Sequence, residues 1–204
     1  MKSARNEILD KLRSAEHLLS DKPDFSSPVF YPLEGPLELN FKKALELVSG
    51  KVNIFSSEAE LYKFLKTFSS NFNWQNIYCR ETEIRNKLTE YGINCQGGES
   101  IDEEIQIGIT GCEFLVAHTG SVMVSSAQIG GRRLFVFPQI HIVIAKKNQL
   151  VEDLEKAYQG INNKYKPELP SQIVLITGPS RTADIEKTLT LGAHGPKELH
   201  VLLY

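Results

Sequence analysis

Apolar residues recur at helical spacing in the first part of the chain and at strand spacing in the middle. Ile8, Leu12, Ala15 and Leu19 lie about one turn apart, so residues 4–19 are expected to form an amphipathic helix. Four prolines follow within residues 21–36, which removes backbone donors and predicts an extended linker. Leu37, Phe41, Leu45 and Val48 mark a second helix, stopped by Gly50. Residues 51–55 read as a short strand. Ser57 and Glu60 have capping-box spacing and open a helix whose apolar face is Leu61, Phe64, Leu65 and Phe68. A strand over 76–79 and a helix over 81–91, ending before Gly92, complete this half.

The middle of the chain is rich in β-branched and aromatic residues without a long helical period. Strands are expected near 105–109, 121–125, 133–137 and 141–145. A helix over 149–160 should end at Gly160, and residues 164–171 read as a loop. The run "QIVLIT" is continuously apolar, as in a strand buried on both faces. Strands alternating with helices predict an α/β fold: three layers, a largely parallel sheet and helices on both faces. The expected division is an N-terminal helix and linker over 1–36, then a single α/β domain over 37–204.

Composition narrows the function. A net charge of -2 gives no basic field for nucleic acid or anionic lipid. No apolar run reaches the roughly 20 residues that span a bilayer. The charged first residues lack a signal-peptide core, so no membrane partner and a cytoplasmic location are expected. Cys79, Cys95 and Cys112 are widely spaced, with no C-x-x-C pair, so no metal, iron-sulfur cluster or other cofactor is expected on this chain. Phosphate-loop, dinucleotide and hydrolase-elbow patterns are all missing.

The candidate chemistry gathers in residues 177–196, "TGPSRTADIEKTLTLGAHGP". This stretch leaves the carboxyl end of the "QIVLIT" strand, and open α/β sheets bind ligands outside such ends. Gly178 permits close backbone approach. Ser180 could cap a short helix containing Ala183, Asp184 and Ile185, with Arg181 and Thr182 at its start. That arrangement predicts a site for a small carboxylate or phosphate. Asp184 and Glu186 would mainly complement the helix dipole. Beyond residue 187 an extended segment is expected, then a turn at His194 and Gly195 and a last strand. One helix through Leu191 would instead carry His194 away from Arg181. "HTGS" offers similar chemistry in His118, Thr119, Gly120 and Ser121. His118, His141 and His194 each stand at an expected strand-to-loop junction. They lack metal-ligand spacing, so each is expected to hold a turn or line the anion site, while His200 packs within a strand and His17 lies on a surface.

Four segments, "GITGCEFLVAHTGSV", "LFVFPQIHIVIAKKNQLV", "TGPSRTADIE" and "LGAHGP" with "LHVLLY", resemble the lactate-utilization protein C family over roughly residues 80–204. The resemblance implies a fold akin to ribose-phosphate isomerases, glucosamine-phosphate deaminases and coenzyme A transferases. It also implies an accessory, cluster-free part in oxidising L-lactate to pyruvate beside iron-sulfur protein partners. Relatives commonly have an acid where this chain has His118, so no carboxylate role carries over there. No glutamate aligns with the transferase nucleophile. Two alternatives stay open: a free-standing enzyme of sugar-phosphate isomerase or acyl-transfer type, and a non-catalytic regulatory module.

Overall fold

The structure, a computed structural model, describes residues 4–15, 31–71, 74, 76–98, 105–182, 190–191 and 194–204. Its helices are α1 (Ala4–Ser14), α2 (Leu37–Leu47), α3 (Glu58–Asn71), α4 (Thr82–Glu90), α5 (Gly131–Leu134) and α6 (Leu154–Tyr165). Its strands are β1 (Lys51–Ile54), β2 (Ile77–Tyr78), β3 (Ile107–Thr110), β4 (Phe114–Val116), β5 (Ser121–Ser125), β6 (Ile140–Ala145), β7 (Leu150–Val151), β8 (Ile173–Ile176), β9 (Arg181–Thr182), β10 (Thr190–Leu191) and β11 (Glu198–Leu203).

Contacts divide the chain into Met1–Tyr31 and Pro32–Tyr204. Within the first unit α1 buries no residue, and Ile8 and Leu12 are exposed. His17 and most of the linker lie outside the described residues.

The second unit has the α/β architecture that the alternation of elements predicts. Five parallel strands run in the order β1-β11-β6-β3-β2. Alternate side chains of this sheet feed two cores. On one face Ile107, Ile109, Ile142, Ile144 and Leu202 pack against Leu61, Tyr62 and Leu65 of α3 and Leu88 of α4. On the other, Val52, Val143, Val201 and Leu203 meet Phe41 and Leu45 of α2. A second sheet, β7-β4-β5-β8, shares that face through Leu115, Ala117, Val122 and Val124. Its far side is covered by Ala157 and Ile161 of α6. Helices thus lie on both faces of the parallel sheet.

Local chemistry explains the boundaries. The Ser57 hydroxyl accepts from the Glu60 N–H at 3.3 Å, and the Glu60 carboxylate accepts from the Ser56 N–H at 3.0 Å. The capping box therefore closes one residue earlier than its sequence spacing suggests. Asp153 caps α6 by accepting from the Lys156 N–H at 2.8 Å, so this helix starts after the expected 149. It also runs past Gly160. A side chain at 160 would fall inside van der Waals contact of the Phe114 ring, and the glycine is there for packing rather than as a stop.

Two expected strands need correction. Residues 133–137 do not form one: Leu134 and Phe135 are buried in succession while Val136 and Phe137 are exposed. The Val136 and Phe137 N–H groups both donate to the Arg133 carbonyl, which continues a helical turn. "QIVLIT" does form β8, but as the edge of the second sheet, antiparallel to β5, with Leu175 exposed. Strand β4 had no sequence expectation. It is short and lies in a stretch whose burial is nearly continuous rather than alternating.

Candidate functional site

The antiparallel setting of β8 decides where "TGPSR" goes. Residues after β8 reach the amino end of the parallel sheet. Gly178 packs on Val48, just before β1. The Ser180 N–H donates to the Pro196 carbonyl at 2.8 Å, just before β11. The Lys197 N–H donates to the Gln139 carbonyl at 2.8 Å, just before β6. The expectation of a site at the carboxyl ends of parallel strands is therefore corrected for these residues: the run is apolar enough for a central strand, but its pairing partner is β5.

At this end the structure brings together three of the stretches singled out from sequence. The Ser121 hydroxyl lies 2.7 Å from Thr119 Oγ1 and 2.7 Å from Thr177 Oγ1, joining "HTGS" to "TGPS". Gly195 of "GAHGP" comes against Ser180, where a Cβ on Gly195 would sit 3.1 Å from the serine Cβ. Gly120 (φ 63°) and Gly178 (φ 90°) hold left-handed backbone. A side chain at 120 would run into the Leu45 backbone, and a Cβ at 178 would be 2.7 Å from the Val48 carbonyl oxygen. Both loops are thus moulded onto the last turn of α2.

Arg181 and Thr182 are extended and pair antiparallel with Leu191 and Thr190. Ser180 therefore does not cap a helix beginning at Arg181, because β-pairing uses the backbone that the helix would need. Ala183, Asp184, Ile185 and Glu186 lie outside the described residues. The extended reading of residues 190–191 holds, and it returns exposed His194 to the neighbourhood of Ser180. The Arg181 guanidinium donates to the Val48 carbonyl at 2.7 Å, closing the carboxyl end of α2.

The other histidines go elsewhere. His118 is half-buried, and its backbone N–H donates to the Glu152 carbonyl at 3.0 Å. His141 lies within β6, wholly buried between the sheets, with Nε2 2.8 Å from Thr110 Oγ1 and the ring 6.0 Å from Phe135. Thr110 Oγ1 donates to the Gly111 carbonyl, so the His141 proton belongs on Nε2 and points at Thr110. Burial pulls this imidazole down to about 4. His200 is buried in β11, 2.9 Å from a Glu198 carboxylate oxygen and against Phe68. Among the described residues no group of three His, Cys, Asp or Glu is placed to hold a metal ion. No helix among them is long and apolar enough to cross a membrane. Cys79 and Cys112 are buried.

The crevice outside the carboxyl ends of the parallel strands is a separate feature, and sequence reasoning missed the residues that line it. This cavity of about 190 Å³ is lined by Glu58, Tyr62, Glu81, Lys146, Gln149 and Tyr204, among others. Glu81 Oε1 accepts the Gly111 N–H at 2.7 Å, and a Cβ at 111 would stand 2.8 Å from its other oxygen. Burial pushes this carboxyl up; the Gly111 bond partly opposes the shift and Glu113 adds to it. Beside it, buried Glu113 accepts from Ser125 Oγ (2.6 Å), Tyr165 Oη (2.7 Å) and Lys164 Nζ (2.7 Å), tying α6 to both ends of the β4–β5 hairpin. The only sequence signal was the place of Glu81, two residues beyond a predicted strand and at the start of a predicted helix.

Comparison with known proteins agrees with this architecture. A solved DUF162 family protein from Deinococcus radiodurans superposes with a TM-score of 0.63 at 18% identity, covering 82% of this chain and 95% of that one. Lactate utilization protein C 1 of Bacillus mycoides is 26% identical over 93% of this chain and 90% of its own length. An uncharacterized protein of Neisseria meningitidis, NMB1437, is 26% identical over 98% and 93%. The family model described as the LUD domain matches residues 67–204, more than half of the sequence, and the chain belongs to the LUD-domain family.

Proposed function

We propose that this chain serves lactate utilization as the accessory, cluster-free component of an iron-sulfur-dependent system that oxidises L-lactate to pyruvate. The observation that carries the reading is the likeness to Lactate utilization protein C 1, which extends along nearly all of both chains rather than one motif. The scattered cysteines, two of them buried, suit a component that leaves cluster chemistry to its partners.

Its ligand is a small carboxylate, held where "TGPSR", "HTGS" and "GAHGP" meet. Arg181 supplies the charge. A guanidinium has five N–H groups and one of them serves Val48, so the same side chain can close α2 and face an anion. A charge-assisted hydrogen bond contributes about 1.5–3 kcal/mol, so Arg181→Ala should weaken binding roughly 10- to 150-fold. Arg181→Lys should recover part of it, since a point charge lacks the planar fork. Calorimetry with L-lactate, pyruvate and inorganic phosphate tests this, and an unchanged affinity in Arg181→Ala sinks the site. Growth on L-lactate after deletion of the gene tests the role: undiminished growth overturns it.

One observation favours a second reading, a free-standing enzyme. Glu81 is a desolvated carboxyl at the carboxyl-end crevice, where proton transfer to a bound substrate is feasible. Turnover of sugar phosphates or acyl donors by the isolated chain, lost in Glu81→Gln, would establish it.

A further inference from the structure

The hydroxyls of Thr119, Ser121 and Thr177 form an unbranched chain with two hydrogen bonds. Three hydroxyls bring three protons, and the two bonds consume two of them. Ser121 is 3% exposed, so its own proton must stay within the chain. The remaining proton therefore sits on one of the two threonines, both of which are exposed. Whichever threonine carries it is a donor to the outside, and the other shows only lone pairs. The chain can run in either direction, but its two ends are always opposite in kind.

We propose that this hydroxyl chain makes the site selective for a 2-hydroxy acid over the corresponding 2-oxo acid. The inference rests on the anion site proposed above and specifies what that site accepts. A 2-hydroxy acid carries a carboxylate acceptor and a hydroxyl donor on adjacent carbons, which matches one donor end and one acceptor end. A 2-oxo acid has acceptors only, so at the acceptor end it sets lone pairs against lone pairs. The ends are held by backbone rather than by the ligand, because Gly120 and Gly178 press both loops against the last turn of α2. The threonines stand two hydrogen-bond lengths apart at most, within the span of a three-carbon acid.

Calorimetry with L-lactate and pyruvate on the full chain tests the proposal. The wild type should bind lactate at least about tenfold more tightly, the effect of one hydrogen-bond mismatch. Ser121→Ala breaks the chain in the middle and lets both threonines turn their protons outward. Pyruvate should then bind more tightly and the ratio should fall toward one, an outcome that simple loosening of the site would not give. Thr177→Val, at an exposed position, should also lower the ratio by removing one end. Arg181→Ala should weaken both acids with the ratio kept. Equal affinities in the wild type, or a ratio unchanged in Ser121→Ala, would overturn the selectivity while leaving the Arg181 site standing. If neither acid binds, the site and its selectivity fall together.

Discussion

His141 is a buried base whose only side-chain partner among the described residues is Thr110. Its Nδ1 has no hydrogen-bond partner in the apolar layer near Phe135. A charged imidazole there would need a second acceptor that the layer does not offer. Unfolding releases the ring to water, where its ordinary value near 6.5 returns, against about 4 when folded. The folded value is depressed, so the stabilisation is complete above pH 6.5 and is lost as pH falls through the window down to 4. The loss should reach up to about 3 kcal/mol by linkage. Denaturant titrations from pH 7 to pH 4 should show this slope in the wild type, and a smaller one in His141→Gln. An equal slope in the two proteins would mean that other groups drive the acid loss. The same residue shows why a histidine at the edge of a strand is a weak functional signal: one register position moves it from a loop mouth into the layer between two sheets.

Among the elements, α6 shows propensity yielding to packing. A glycine within a helix costs about 1 kcal/mol relative to alanine, so Gly160→Ala would stabilise an isolated helix. In the fold, α6 lies on β4 with the Phe114 ring against that glycine, and an added methyl has no room. Overpacking of this kind costs about 1–3 kcal/mol, which exceeds the propensity gain. Gly160→Ala should therefore lower the melting temperature, and a rise would show that Phe114 moves aside freely. The Glu113 carboxylate works at the same scale: its three donors come from β5 and the end of α6, so it fixes the helix against the second sheet.

For the whole molecule, the N-terminal unit carries the next expectation. Helix α1 is amphipathic in sequence, yet it buries none of its residues. Its exposed Ile8 and Leu12 suit docking on another protein, and we expect that protein to be an iron-sulfur partner. Removing residues 1–20 should leave the melting temperature of the remaining chain nearly unchanged, since α1 contributes no buried residue. The truncated chain should bind an iron-sulfur protein of the same organism's lactate-oxidising system more weakly than the full chain in a two-component binding assay. Equal binding would remove the helix from that role.

The sequence by itself determined the class of fold and much of the order of its elements. Period and capping chemistry are local, so α2, α3, α4, β5, β6 and β11 could be read from spacing alone. The motifs that mark the LUD domain were also legible, as was the grouping of "HTGS", "TGPSR" and "GAHGP" around one anion-sized feature. Only the tertiary structure decided what those motifs face. The apolar run of β8 is equally compatible with a central parallel strand and an antiparallel edge; pairing with β5, not composition, sent "TGPSR" to the amino end of the sheet. The turn of chain at 131–137 has the composition of a strand, but its successive burial against the sheet needs a helical turn. Glu81 meets Gly111 across thirty residues of sequence, and the Ser121–Thr177 bond spans fifty-six. Such contacts depend on how strands pair, and pairing is decided by the packing of whole layers rather than by any window of neighbouring residues.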